Sequence, residues 1–328
     1  MPDYDLEEMK TFNYKRPEIT NGYADQTLYV NLSDGQIDIK PVDAKTKETF
    51  IGGKGYDLWL LWNAVQPTTC WNDPENALCI AAGPLGGTPI YPGSGKSIVA
   101  TLSPTTASVI DSNVGGYFGP YLKFSGFDAL EIQGKTTSEV VVYIDGVNQK
   151  VQLFETSGLP DDAYELSAIL TEHFAQGKPR NISVVSTGPG AKNTLIGCLN
   201  FTWYDPKRKR VRYKQAGRGG IGTVFADKGL KAIVARWDTV SLKSNNPDDL
   251  DALKKVSKLH SKEIVSLDPK QNRMASLGTT HLVPIMNDFD LLPTHNFKFG
   301  AHPEARHLYS NHYLEAFNQS TADGCWFG

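Results

Sequence analysis

Apolar and polar residues alternate through Gln26–Lys40, QTLYVNLSDGQIDIK, on both sides of Ser33-Asp34-Gly35. Period-two alternation interrupted by an Asp-Gly turn predicts a β-hairpin. The pattern returns in VVVYIDGVNQKVQLFE, residues 140–155, and predicts a second hairpin, again with an Asp-Gly turn. Between them FIGGKGYDLWLLWNAV, residues 50–65, opens on glycines, continues as an apolar run and meets Pro67, so it reads as a helix. Asp161–Phe174 has helical spacing, with acidic residues in the first turn where the helix dipole favours them. Short apolar runs predict strands at 97–102, 129–133, 181–186 and 196–203. Over 207–236 the chain reads as a basic run, a Gly-rich turn, a short helix and a closing strand. Pro247–Ser266 is amphipathic with period 3.6, and Asn246 is placed to cap it. Residues 1–25 show neither period and read as an N-terminal extension that wraps another surface or is partly ordered. No internal repeat stands out beyond the two hairpins. The expectation is an α+β protein, with a β-rich domain over 26–240 and the opening of a mainly helical domain over 245–328.

Composition narrows the class. With 328 residues, 40% hydrophobic and 21% charged, and a net charge of -3, the chain can build one large domain and part of another. That charge balance gives no electrostatic reason to bind nucleic acid. No run approaches the roughly 18 apolar residues a membrane span needs. The acidic start, MPDYDLEEMKTF, does not resemble a secretory signal, so the cytoplasm is the expected location. Cys70, Cys79, Cys198 and Cys325 are too scattered for a disulfide framework, and Cys79 and Cys198 read as buried small hydrophobes.

Candidate chemistry concentrates in Ala81–Lys135, where strand-like pieces alternate with turns rich in Gly, Pro and Ser. Such turns bring backbone N–H groups close to a phosphate-bearing ligand. Gly95-Lys96-Ser97 ends like a P-loop, but Ile90 stands where that pattern needs glycine, and a strand follows instead of a helix. Gly217-Arg218-Gly219-Gly220-Ile221-Gly222 matches GxGxxG, yet the strand before it is basic where a buried parallel strand is apolar. A structural glycine turn fits better than a dinucleotide fingerprint, and a phosphate clamp of Lys214, Arg218 and backbone amides fits that composition better than either. The run Lys207–Lys214 reads as a solvated hairpin or as an anion site. Six of the seven histidines fall between His260 and His312 without zinc spacing. His260, at the end of an apolar helical pattern, is the candidate for proton transfer.

The pieces IAAGPLGGTP, SNVGGYFGP, LKFSGFDALEIQGK, AGRGGIGTVFADKGLKAI and the late GCWFG resemble, in order and spacing, the N-terminal half of the tungsten-containing aldehyde ferredoxin oxidoreductase family. In detail, SGKSIVATLSPTTASV and KRVRYKQAGRGG look like the active-site subunit of tungsten-dependent (class II) benzoyl-coenzyme A reductase. The resemblance implies a two-sheet domain forming the base for a tungsten bis-pyranopterin cofactor, with helical domains covering it. It gives Asn113 a backbone carbonyl on the Mg2+ that bridges the pterin phosphates, and sets Gly115 and Gly116 against a pterin. Lys96 stands where the family has a pterin-contacting arginine. Lys214 and Gln215 stand where it has an Arg-Ala pair whose second carbonyl also meets Mg2+, followed by Ala216, Gly217 and Arg218. A backbone carbonyl tolerates Gln215, and the two lysines keep charge while losing bidentate geometry. Cys325 matches the first cysteine of the family's [4Fe–4S] motif, and the tungsten ligands and remaining cysteines would fall beyond Gly328.

The implied reaction uses low-potential electrons from the iron–sulfur cluster for dearomatising reduction of benzoyl-coenzyme A to a cyclic dienoyl thioester, with His260 as proton donor. The alternative on the same cofactor is oxidation of an aldehyde to a carboxylic acid, and a non-catalytic scaffold is a third possibility of another class. Implied partners are the small-molecule substrate, an iron–sulfur electron-transfer subunit or ferredoxin, and further copies in an oligomer.

Overall fold

The computed structural model describes residues 4–271 and 273–314. Its chain divides into two compact units, Met1–Asp251 and Ala252–Gly328.

The first unit opens with a strand that sequence periodicity missed. β1 (Asp5–Asn13) pairs antiparallel with β9 (Lys150–Ser157) at the edge of a sheet. Its sequence, DLEEMKTFN, is mostly exposed, and a register shift between Glu8 and Lys10 breaks the alternation of faces. A bulged edge strand need not carry a period-two signal. Residues 5–13 are therefore part of the sheet rather than a wrapping extension.

The rest of the unit is one arrangement built twice. In the first half, β2 (Gln26–Asn31) and β3 (Gln36–Pro41) form the predicted hairpin, followed by α1 (Ala44–Phe50) and α2 (Lys54–Ala64). Then come β4 (Leu78–Ala81), β5 (Ser97–Leu102), β6 (Val109–Val114), α3 (Phe118–Phe124) and β7 (Ala129–Gln133). Their sheet order is β3-β2-β7-β4-β5-β6. In the second half, β8 (Val140–Asp145) and β9 form the hairpin, followed by α4 (Ala163–Ala175) and β10 (Ile182–Ser186). β11 (Leu199–Asp205), β12 (Arg210–Ala216), α5 (Ile221–Asp227) and β13 (Leu230–Arg236) complete it. Their order is β9-β8-β13-β10-β11-β12, the same order with β1 added outside.

Registers repeat as well. Thr27 sits opposite Ala129 in the parallel β2–β7 pair, and Val141 opposite Ala232 in the parallel β8–β13 pair. Both hairpins close at equivalent residues, Asn31 opposite Gln36 and Asp145 opposite Lys150. After β6 and after β12 a glycine turn enters a short helix, and Gly119, Gly126 and Ala129 match Gly222, Gly229 and Ala232. The sequence expectation of no repeat beyond the hairpins is corrected here, because what recurs is topology, register and a few glycines.

Alternation along the strands explains the layers. Val140, Val142 and Ile144 point into the main core with Leu28, Val30, Leu78, Ile80 and Phe201, while Val141 and Tyr143 turn to the cluster under α4. Cys79 and Ala81 turn the other way, to the cluster under α2. Phe118, Leu122, Ile221 and Phe225 of α3 and α5 lie in the main core, which therefore unites both halves. Two lysines are buried in this framework. Lys123 donates to the carbonyls of Gly83, Pro84 and Gly86, and burial pulls it down to about 8. Lys228 donates to Pro74 O and Gly134 O and is likewise pulled down to about 8 by burial.

In the second unit, the amphipathic helix α6 runs over Leu250–Gln271, later than the predicted Pro247 start. The reason lies in the residues expected to cap it. Asn246 has φ 42°, and the carbonyls of Asn245 and Asn246 accept from Gly22 N and Asn21 N. They are held by the first unit's framework, so the helix begins beyond them. α7 (Met274–Leu277) and α8 (Val283–Asp288) follow.

Candidate functional site

Two glycine turns, one from each half, come together. The first half contributes Lys96, exposed just before β5, and Asn113, exposed on β6 opposite Ile98, with Gly115 and Gly116 beyond it. The second contributes Lys214, half-buried on β12 opposite Phe201, then Gln215, Ala216, Gly217 and Arg218. A Cβ on Gly115 would lie 3.7 Å from Lys214 Cγ, and one on Gly95 would lie 3.0 Å from Gly116 O. Gly219 packs against Ile110 of β6, and its carbonyl accepts from Ser103 Oγ at 2.8 Å. These contacts bring the two turns together where the ends of the equivalent strands β6 and β12 meet, with Lys96, Asn113, Gln215, Gly217 and Arg218 exposed along them and Ala216 buried in the main core.

The glycines there are of two kinds. Gly116 (φ +121°) and Gly219 (φ +62°) hold backbone conformations that side chains rarely adopt. Gly115 and Gly217 do not. Gly217 has nothing within 4 Å of where a Cβ would stand, and Gly115 would make only an ordinary contact. The fold gives no reason for glycine at either position. A ligand that must approach the backbone does. Among the described residues no carboxylate pairs with Lys96, Lys214 or Arg218, so the surface presents uncompensated positive charge. Gln215 Nε2 donates to Asn200 Oδ1 at 3.1 Å, which ties that side chain back along the sheet. Lys and Arg beside exposed backbone form a donor set that suits phosphates, and the residues present fit a phosphate-bearing ligand.

Both nucleotide motifs are placed outside their usual settings. Ser97 begins β5, so no helix follows Gly95-Lys96-Ser97. Gly217–Gly222 joins β12 to the seven-residue α5. Successive antiparallel pairings from β12 through β11 and β10 to β13 set β12 antiparallel to β13, so no βαβ unit exists there. The basic run forms the tip and return strand of the β11–β12 hairpin. Arg208 bonds Asp205 Oδ2 at 2.7 Å, lowering that carboxyl, so part of its charge is satisfied within the hairpin.

His260 lies half-buried on α6, in the second unit, and so belongs to a different unit from the turn residues. Cys325 lies outside the described residues. Cys79 is buried, but Cys198 is only half-buried, correcting its reading as a core residue. Among the described residues no three or more His, Cys, Asp or Glu side chains gather as a metal site.

Sequence reasoning also missed a cleft of about 640 Å³ beside the first turn, lined by Gly95, Tyr117, Pro120, Tyr121, Arg180 and Asp238 among others. Tyr117 lies between Tyr121 and Trp203, at ring distances of 5.5 and 5.9 Å. Tyr121 OH donates to Arg180 O at 2.6 Å. Burial raises the Tyr121 hydroxyl above its ordinary range and the Arg180 guanidinium opposes that rise. No periodicity or motif marks these residues in the sequence.

The aldehyde ferredoxin oxidoreductase N-terminal domain matches residues 27–237, which span both halves of the repeated fold. The chain belongs to the aldehyde ferredoxin oxidoreductase family. Relatives in the family include the tungsten-containing aldehyde ferredoxin oxidoreductase of Pyrococcus furiosus, 32% identical over 85% of this chain and 43% of its own length. An aliphatic sulfonate oxidoreductase, WOR-like subunit, from the same organism is 29% identical over 65% of this chain and 34% of its own. Among solved structures, the active-site complex BamBC of benzoyl-coenzyme A reductase with 1,5-dienoyl-CoA is 33% identical, with a TM-score of 0.57, over 66% of this chain and 31% of that one. The chain thus spans less than half the length of these relatives. Membership agrees with the two-sheet α+β domain and with the resemblance carried by the glycine motifs.

Proposed function

We propose that this chain forms the base of a tungsten bis-pyranopterin site in an oxidoreductase that reduces the aromatic ring of benzoyl-coenzyme A to a cyclic dienoyl thioester. The observation that carries the cofactor reading is the meeting of equivalent glycine turns from two halves of one repeated fold. A ligand made of two like halves joined through phosphates matches a cradle made the same way. Lys96, Lys214 and Arg218 would hold its phosphates, Gly115 and Gly217 would let its rings approach the backbone, and the carbonyls of Asn113 and Gln215 would face a bridging Mg2+. Bound there, the group would supply low-potential electron transfer, fed from a [4Fe–4S] cluster with Cys325 as one ligand.

The chain's own part is to orient and to manage protons. Backbone amides fixed by β6 and β12 hold a phosphate without reorganising at each turnover. His260 is the proton donor in this reading, histidine being the side chain that most often serves as a positioned general acid or base. Electrons would arrive through an iron–sulfur subunit or ferredoxin, and the working form would be oligomeric. Among the described residues no helix is long and apolar enough to cross a membrane, which is compatible with a cytoplasmic location.

The acyl-coenzyme A substrate is favoured by the 33% identity to the benzoyl-coenzyme A reductase complex. Aldehyde oxidation is the second reading, favoured by relatives of that activity aligning over 85% of the chain. The test is to measure tungsten in the full protein, then offer benzoyl-coenzyme A to the reduced form and benzaldehyde to the oxidised form. Ring reduction is expected. Turnover of benzaldehyde alone would replace the first reading by the second, and protein purified from a tungsten-replete host without metal would favour a scaffold.

A further inference from the structure

We propose that the cleft beside the first glycine turn is a nucleoside-phosphate site that takes the nucleotide end of the substrate thioester. The starting point is a break in the repeat. Tyr117, Pro120 and Tyr121 of the first half occupy the places of Gly220, Thr223 and Val224 in the second, as matching of Gly119 to Gly222 and Gly126 to Gly229 dictates. The turn after β4 runs from Ala82 to Lys96, whereas its counterpart after β10 runs only from Thr187 to Cys198. The cleft is walled by that longer turn and those aromatic residues. A ligand with two like halves gives no reason for a feature present in one half alone. An unsymmetrical ligand does.

The lining chemistry says what kind. The cleft's volume, about 640 Å³, falls in the range that encloses a drug-sized molecule, well beyond a bare phosphate. Tyr117 and the buried Tyr121 give the cleft an aromatic wall, and the half-buried Tyr117 ring is the one on which a base can stack. Arg180 is exposed in the cleft, and among the described residues its guanidinium has no carboxylate partner, although Asp238 also lines the cleft. A guanidinium fork matches phosphate oxygens in pairs, and a carboxylate accepts from an exocyclic amine. An aromatic wall, a phosphate fork and an acceptor together suit an aminopurine nucleotide. A small aromatic acid would leave most of the volume unfilled. The backbone that carries Arg180 is fixed without help from the ligand, because Tyr121 OH donates to its carbonyl. Gly95 both lines the cleft and abuts Gly116, so the nucleotide end would be anchored directly beside the cofactor cradle.

This assignment rests on the acyl-coenzyme A reading, and the experiment separates the two. Adenosine 3′,5′-bisphosphate is titrated calorimetrically into the full protein and into Arg180→Gln, Arg180→Lys and Asp238→Asn, with inorganic phosphate and benzoate as further probes. The expected result is binding of the bisphosphate that Arg180→Gln weakens at least tenfold, Arg180→Lys partly restores and Asp238→Asn weakens less. Phosphate and benzoate should bind far more weakly. With benzoyl-coenzyme A, Arg180→Gln should raise KM about tenfold and leave kcat unchanged. Equal binding by parent and Arg180→Gln, no binding by either, or phosphate binding as tightly as the bisphosphate overturns the proposal. Ring reduction with a KM indifferent to Arg180 sinks the cleft assignment and leaves the reductase reading standing. Arg180-dependent bisphosphate binding without ring reduction does the reverse.

Discussion

Gly217 and Gly222 stand five positions apart in one motif and answer to different demands. A Cβ on Gly222 would overlap the Cys198 backbone, 2.3 Å from its carbonyl oxygen, whereas one on Gly217 would stand in open space. Gly222→Ala should therefore destabilise the domain by about 2 kcal/mol or more, as overpacking against backbone does, with tungsten lost only as the fold is lost. Gly217→Ala should leave the melting temperature within a degree or two while the tungsten-to-protein ratio falls severalfold. A full tungsten complement in folded Gly217→Ala would argue against close ligand approach at that residue. Asp57 on α2 is another residue whose neighbours decide its behaviour. It is fully buried, and burial, outweighing the pull of the Ala81 N–H, raises its carboxyl well above the ordinary range. The unfolded carboxyl ionises near pH 4 while the folded one stays protonated, so the unfolded chain binds fewer protons and stability falls as pH rises above about 4. Asp57→Asn should remove this dependence. Its urea midpoint should exceed the parent's at pH 7 and converge with it near pH 4, and parallel curves would contradict the assignment.

At the scale of elements, the turn after β4 depends on a helix distant in sequence. Lys123 of α3 donates to three carbonyls there, and Pro84 O has that lysine as its bond at 3.0 Å. Lys123→Met keeps much of the volume and removes the donors. The expected cost is about 2–3 kcal/mol, with faster amide exchange confined first to residues 83–88. Protection unchanged in that turn would show that other contacts hold it. β1 is an element of another kind, supplying hydrogen bonds along an edge. Deleting residues 1–13 should expose β9 and strip Phe12 from the main core it packs against. Light scattering should then report association through the bared edge, and a monomeric variant of unchanged stability would count against that role.

The whole first unit should unfold as one. Phe118 of the first half meets Phe201 of the second edge-on, at a ring distance of 5.6 Å, inside a core drawn from both sheets. Phe201→Ala is expected to cost about 3–5 kcal/mol and to lower amide protection in β4 and β10 together, since the halves share the lost contacts. Protection lost in β10 alone would mean the halves fold independently.

By itself the sequence determined most of the local elements. Alternation around Asp-Gly turns marked both hairpins and the glycine-led apolar run marked α2, while the turn residues from Lys96 to Arg218 were singled out through the resemblance of their glycine motifs and stand as part of the proposal. The hairpin and helix patterns are short-range signals, set by backbone conformation and by which face is buried. Only the tertiary structure decided that the two halves repeat, because Tyr117 opposite Gly220 preserves the fold while erasing similarity. It also decided that β1 belongs to a sheet, that Asn245 and Asn246 stop α6 from starting early, and that Arg180 shares a cleft with Tyr117. In each case the deciding contact joins residues far apart along the chain, where neither periodicity nor spacing carries a signal.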